Sequence, residues 1–237
     1  MIRRPPRSTQ GVSSAASDVY KRQGVSNKIA RKEMVSRAVD SLRNVRVAAP
    51  ERRMRDYPHQ MSGGMKQRVI GAIAISSTPK VIIADEPTTA LDVTIQLQYL
   101  QLLREIQQET GLAIIFITHD FGIVARMCDR VAVMYAGRII ESGDVRTLFN
   151  SPTHPYTQAL MASVPQMDRT ERLFAIDGQP PALFALPEGC RFADRCSHVR
   201  DHCLQEYPPT GEPEAGHDVS CWMVDPTWDE SSQEAVS

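Results

Sequence analysis

Two short, unbroken apolar runs, Val81-Ile82-Ile83-Ala84 and Ala113-Ile114-Ile115-Phe116-Ile117, flank a stretch of helical periodicity, and this arrangement limits the fold more than any other feature of the chain. Continuous apolar runs of this length fit strands of a parallel sheet covered on both faces. Between them Ile95, Tyr99, Leu102, Leu103 and Ile106 recur at helical spacing within Thr94 to Thr110, and Gly111 ends the helix. Strand, helix, strand is a right-handed parallel crossover. The expectation is an α/β chain in which both runs, the second extending to Thr118, are fully buried strands.

The rest of the chain is organised around that unit. Val35, Ala38, Val39, Leu42 and Val45 give an amphipathic helix from Arg31 to Val47, and Ser62 stands as N-cap to a second helix, Met65 to Ser76. After the second strand come a helix from Asp120 to Cys128, a strand from Arg130 to Tyr135, a turn at Gly137, a strand from Arg138 to Ser142 and a short helix from Asp144 to Asn150. Beyond Pro152 the sequence turns Pro-rich and Cys-containing, which places a domain boundary there. The expected parts are residues 24–79 as a helical subdomain, 80–150 as the second half of a core and 151–237 as a loop-rich extension. Met1 to Gln23 lacks apolar periodicity and resembles translated sequencing-adapter read-through, so native sequence is expected to begin near Gly24; the other reading is a natural basic arm.

A chain of 237 residues with net charge −1 can bury a core and gives no electrostatic reason to expect nucleic acid. No apolar run approaches the length of a bilayer span. After Arg200 there is no Lys or Arg, while Asp201, Glu206, Glu212, Glu214, Asp218, Asp225, Asp229, Glu230 and Glu234 accumulate, so the tail reads as acidic and solvated.

Two segments carry chemistry. Ser62-Gly63-Gly64 opens a helix, where backbone amides and the helix dipole favour an anion; Ser62 Oγ and the Gly64 amide are candidates for phosphate oxygens. Asp85-Glu86 ends the first apolar strand, the place where open parallel sheets bind ligands, and offers a metal carboxylate beside a general base.

Joined to Gln60 and to the continuation Met65-Lys66-Gln67-Arg68, the Ser-Gly-Gly turn resembles the signature loop of ABC ATPases in the variant of peptide importers. By that resemblance Ser62, Gly63, Gly64 and Met65 contact nucleotide. Asp85 is the Walker B carboxylate holding Mg²⁺ through water, and Glu86 is the base that polarises the attacking water. Pro87-Thr88-Thr89-Ala90-Leu91-Asp92 resembles the D-loop, with Asp92 at a dimer seam and Thr89 where many members have Ser; His119 matches the switch histidine. No Gly-Lys pair occurs in the chain, so Walker A is unmatched, as are the adenine-stacking loop and the Q-loop glutamine. A truncated gene model accounts for this most simply, and the chain alone is then expected to be inactive.

Cys190, Cys196, Cys203 and Cys221, with five, six and seventeen residues between them, gather in the extension, while Cys128 stands apart as core. The grouping points to a metal or cluster, the other reading being unligated reduced thiols. It is not a zinc-finger spacing, yet His198, His202 and His217 are spare ligands for zinc, and four thiolates suit an iron–sulfur cluster equally well. Ser151-Pro152-Thr153-His154-Pro155-Tyr156 and Gly189-Cys190-Arg191-Phe192 onward resemble the C-terminal extension of oligopeptide and dipeptide importer ATPases, in some of which such cysteines hold a [4Fe-4S] cluster.

The resemblance implies an ABC-type P-loop NTPase core, in part, with a helical subdomain and the extension. It implies an ATP-hydrolysing subunit for di- or oligopeptides, or nickel, with ATP and Mg²⁺. The implied partners are a second ABC ATPase subunit, identical or not, two membrane permeases and, indirectly, an extracytoplasmic binding protein, and the implied location is the cytoplasmic face of a bacterial inner membrane. The rival readings are a soluble, non-transport ABC ATPase and an iron–sulfur protein with an inert ATPase remnant.

Overall fold

The computed structural model describes residues 31–89, 91–164 and 176–226. Residues 1–23, 24–30 and the acids Asp229, Glu230 and Glu234 lie outside them. The chain divides into two compact units, residues 1–119 and 120–237.

In the first unit, α1 (Arg31–Asn44) buries Ala38, Val39 and Leu42 on one stripe, and Val45 just past its end, while Val35, expected on that stripe, is half exposed. A single turn, α2 (Pro50–Arg53), and a 3₁₀ turn (Pro58–Gln60) lead to α3 (Gly63–Ile75). Arg68 on α3 donates to the carbonyls of Val45 and Arg46 at 3.0 and 3.5 Å, so the end of α1 is tied to α3 as well as packed on it.

β1 (Val81–Asp85), α4 (Val93–Thr110) and β2 (Ala113–Ile117) form the crossover, and β1 pairs with β2 in parallel from Val81↔Ala113 to Asp85↔Ile117. Gly111, at φ 69°, closes α4 by donating its N–H to Gln107 O; a residue with a Cβ is strained there. Tyr99, Leu102, Leu103 and Ile106 are buried as the helical period requires. Burial of the strands departs from expectation. Val81, Ile83, Ile115 and Ile117 are 50–66% exposed and alternate with half-buried neighbours. An apolar run is buried on both faces only where layers cover both, and here one face of the two-stranded sheet is uncovered among the described residues.

In the second unit Asp120 caps α5 (Phe121–Met127) through Oδ1, which accepts from the amides of Gly122 and Ile123. β3 (Arg130–Tyr135) turns at Ala136-Gly137, with φ 44° and 84°, into β4 (Arg138–Asp144). Two successive positive φ values make the tight turn that suits strand twist, and Ala136 adopts it without being glycine. α6 (Val145–Asn150) and α7 (Pro155–Ala162) follow, then α8 (Asp201–Gln205), β5 (Thr210–Glu214) and β6 (His217–Ser220). The strands form one antiparallel sheet in the order β3-β4-β6-β5.

The division into units falls at His119/Asp120, and the change of composition at Pro152 lies within the second unit. Arg138–Asp144 pairs with β3 as expected and also, on its other edge, with a strand of residues 151–237, Glu141↔Val219 and Ser142↔Asp218. Composition reports where the chain becomes loop-rich; it carries no information on pairing across so long a separation. The core under this sheet is Val133, Tyr135, Ile140, Leu148 and Phe192, with Tyr135, Tyr156 and Phe192 in mutual ring contact at 4.7–5.4 Å between centroids.

A buried polar knot sits beside that core. Glu141 is 1% exposed; its Oε1 accepts from Thr153 N at 2.7 Å and pairs with His217 Nε2 at 2.8 Å, and its Oε2 accepts from His154 N at 3.1 Å. His217, expected as a spare zinc ligand, is thus spent on Glu141.

Candidate functional site

Parallel pairing explains why two residues distant in sequence meet. Asp85 and Ile117 are register partners, so Glu86, one residue past β1, and His119, two past β2, leave the sheet side by side. His119 Nδ1 lies 2.6 Å from Glu86 Oε1, Thr89 Oγ1 donates to Glu86 Oε2 at 2.7 Å, and Glu86 N donates to Ile117 O at 2.9 Å. Glu86 itself is held at φ 45°, a left-handed conformation unfavourable for a non-glycine residue and characteristic of functional positions.

The hydrogen bonds from Thr89 and then His119 hold the Glu86 carboxyl below its ordinary value, so it is ionised and able to accept a proton at neutral pH. The His119 side chain is 79% exposed, open to a ligand from outside. Asp85, at the strand end, is exposed beside them. Since Thr89 is the leading cause of the lowered value, Thr89→Ala is expected to raise the Glu86 pKa. The acid limb of the pH–rate profile of the assembled ATPase then moves to higher pH; an unmoved limb would show that Thr89 does not act on the carboxylate.

The Ser-Gly-Gly turn forms the cap expected of it. Ser62 Oγ accepts from Met65 N at 3.3 Å, and Ser62 and Gly63 are exposed at the start of α3. Gly64 has a packing reason as well, because a Cβ there would lie 2.5 Å from Ile95 Cγ2. Ile95 belongs to the first turn of α4, whose N-cap is Asp92, with Oδ1 accepting from Ile95 N at 3.0 Å. Gln67 on α3 donates to the carbonyl of Pro87, the residue after Glu86. Glu86 and His119 therefore touch, Ser62 to Met65 are linked to their loop through Gln67, and Asp92 caps the helix against which Gly64 packs. Neither Gln67 nor the Thr89 contact was identified from sequence.

In the second unit Cys190, Cys196, Cys203 and Cys221 line one pocket together with His154 and Phe192. Close backbone approach brings them there. Cys190 N donates to Cys203 O at 2.7 Å, and Gly189 sits where a Cβ would lie 2.3 Å from Cys203 O. Burial pushes the Cys190 thiol up, that of Cys196 to about 11 and that of Cys221 to about 12, with neighbouring thiols adding to the rise. Among the described residues no group of three or more His, Cys, Asp or Glu is placed to hold a metal ion. Of the other spare ligands, His202 packs edge-on against Trp222, with ring centroids 5.1 Å apart.

Comparison with known proteins places this geometry. The ABC transporter family model matches residues 3–89, and the model of the C-terminal region of oligopeptide/dipeptide transporters matches residues 140–203. The probable peptide ABC transporter ATP-binding protein y4tR of Sinorhizobium fredii is 46% identical over 92% of this chain, and the dipeptide transport ATP-binding protein DppD of Bacillus subtilis is 48% identical over 85%. The chain belongs to the oligopeptide/dipeptide ABC transporter ATP-binding family.

The chain spans 66% and 59% of the length of those two relatives. Among solved structures cbiO1 of Clostridium perfringens, part of the ABC transporter complex cbiONQ, is 35% identical with a TM-score of 0.50, covering 60% of this chain and 55% of that one. The fold is thus the α/β ABC ATPase fold. In this ABC family chain Ser62 to Met65, Asp85, Glu86 and Thr89 fall inside the first family match, and Glu141, His154, Cys190, Cys196 and Cys203 inside the second. The first match also takes in residues 3–23, the stretch set apart above as foreign.

Proposed function

We propose that the chain is the ATP-hydrolysing subunit of a bacterial peptide importer and that Glu86 and His119 are its catalytic residues. The observation carrying this reading is the 2.6 Å contact between an ionised, backbone-strained Glu86 and an exposed His119 at the ends of two parallel strands. Water held by Glu86 attacks the γ-phosphorus of ATP in line, its proton passes to the carboxylate, the bond to the β-phosphate oxygen breaks, and His119 meets the γ-phosphate and orients Glu86. Asp85 would hold Mg²⁺ through water, and the ion supplies charge neutralisation on the phosphates.

Peptide rather than nickel as cargo is supported by the names of the relatives. The partners are a second ATP-binding subunit and two permeases, fed by an extracytoplasmic binding protein, and the chain lies at the cytoplasmic face of the membrane. Among the described residues no helix is long and apolar enough to cross one, so attachment runs through the permeases. Glu86 and His119 act in the complete ATPase; this chain of 237 residues, which contains no Gly-Lys pair, offers Ser62 and Gly64 to a partner's nucleotide and is proposed to hold none of its own. Titration of the isolated chain with labelled ATP tests this: no binding at micromolar concentration is expected, and micromolar affinity would contradict it.

The four-cysteine pocket is read as a [4Fe-4S] site. The donor set fits by its chemistry, since four thiols line one pocket and four thiolates are the ligand set of such a cluster. Cys190, Cys196, Cys203 and Cys221 would hold the cluster, which supplies one-electron redox capacity and a covalent tie between the loops.

A further inference from the structure

His154 has a buried ring nitrogen that neither the fold nor the ATPase reading uses. Its Nδ1 accepts from Tyr156 N at 3.0 Å and so caps α7. A ring nitrogen that accepts carries no proton, so in the neutral imidazole the proton is on Nε2. The ring is neutral, because burial pushes its pKa down to about 4 despite the nearby Glu141. The residue is 1% exposed, and Nε2 is buried without a hydrogen-bond partner. A buried donor left unpaired is costly, and such exceptions call for an explanation. His154 is one of the residues that line the pocket of the four cysteines. Its backbone is fixed by Glu141, whose two oxygens accept from the amides of Thr153 and His154, and its ring lies 5.9 Å from that of Phe192 between centroids.

We propose that His154 Nε2 donates a hydrogen bond to a sulfur of the cluster held by Cys190, Cys196, Cys203 and Cys221, and so raises the reduction potential of that cluster. The inference rests on the cluster reading above. Four cysteines complete the ligand set of a cubane, which leaves His154 outside the coordination shell as a positioning and tuning group. An N–H aimed at a cluster sulfur stabilises the more negative, reduced state over the oxidised one. The sequence segment His154-Pro155-Tyr156 suits this use: Pro155 starts the helix and the Tyr156 amide takes up Nδ1, which leaves Nε2 as the nitrogen without a partner.

The test uses the full chain, purified without oxygen, reconstituted with ferrous iron and sulfide, and titrated with dithionite while the broad visible absorption is followed. His154→Asn keeps a side-chain oxygen to cap α7 but is too short to fill the place of Nε2. Its reduction equilibrium is expected to shift about tenfold toward the oxidised form, about 59 mV for one electron. A wild-type chain that takes up no iron and sulfide overturns the cluster reading and this proposal with it. A variant that carries the cluster at the wild-type potential overturns the hydrogen bond alone.

A second measurement covers the case in which His154→Asn does not fold. In the reduced wild-type chain labelled with ¹⁵N-histidine, electron–nuclear double resonance is expected to show an imidazole nitrogen and a deuterium-exchangeable proton coupled to the cluster. Absence of both in a cluster-loaded chain overturns the proposal, as does their persistence in a folded His154→Asn chain.

Discussion

Replacing Glu86 by Gln in the complete, assembled transporter is expected to lower ATP turnover by about 10² to 10⁴-fold while nucleotide continues to bind. The substitution is nearly isosteric. The amide oxygen of Gln can still accept from Thr89 Oγ1, and the backbone bond from residue 86 to Ile117 O is untouched, so the φ of 45° is retained. What disappears is the proton acceptor. A carboxylate held ionised by Thr89 and His119 becomes an amide with no basicity near neutral pH, and the attacking water keeps its proton. Measurement of kcat at saturating ATP, with nucleotide affinity determined separately, isolates this term. A Glu86→Gln transporter that turns over within a few-fold of wild type would remove Glu86 from the reaction and with it the proposed mechanism.

The readability of this site from sequence follows from how local its determinants are. Asp85 and Glu86 were legible because a strand of bare aliphatic residues has to end somewhere, and acids at that end face the ligand side of a parallel sheet. Ser62 was legible as a residue that caps a helix, and it does so, whereas Asp92, read only as the seam residue of the D-loop, also proves to be a cap. His119 was placed by the resemblance, and the register Asp85↔Ile117 is the physical reason it meets Glu86. Gln67 was not legible, since nothing in a glutamine on a helix indicates the carbonyl it will reach. Gly64 was read for phosphate approach alone, although contact with Ile95 also excludes a side chain there.

In the second unit the turn at Gly137 identified Arg138 to Ser142 as the hairpin partner of Arg130 to Tyr135 without identifying the neighbour on its other edge. A turn fixes one partner and is silent on pairing with a strand from His217 to Ser220. For that reason His217 looked like a free ligand and Glu141 like an ordinary strand residue. The convergence of the cysteines, by contrast, was legible from their number and their loop-rich setting. The ring next to them was not, because a histidine before proline reads first as part of a turn.

Glu141→Gln is expected to destabilise the second unit by about 3 kcal/mol, within the range found when one member of a buried pair is removed. Glu141 is 1% exposed and accepts at both oxygens, from Thr153 N, His154 N and His217 Nε2. A carboxylate satisfies all three with lone pairs, whereas an amide turns an N–H toward at least one of them, leaving two donors face to face in a site closed to water. Reorientation cannot relieve this, because donors occupy both oxygens: Thr153 and His217 on one, His154 on the other. The loss should appear as a lower urea midpoint, or as a fall in melting temperature on the order of 10 °C. His217→Ala in the same background should add less than it costs alone, since the pair acts as a unit. The turn Thr153-His154 is what Glu141 holds, so the variant should also loosen the His154 ring and expose the four thiols to alkylation at lower denaturant than wild type. Equal midpoints for Glu141→Gln and wild type would show that this buried knot contributes nothing to the stability of the sheet that joins β4 to β6.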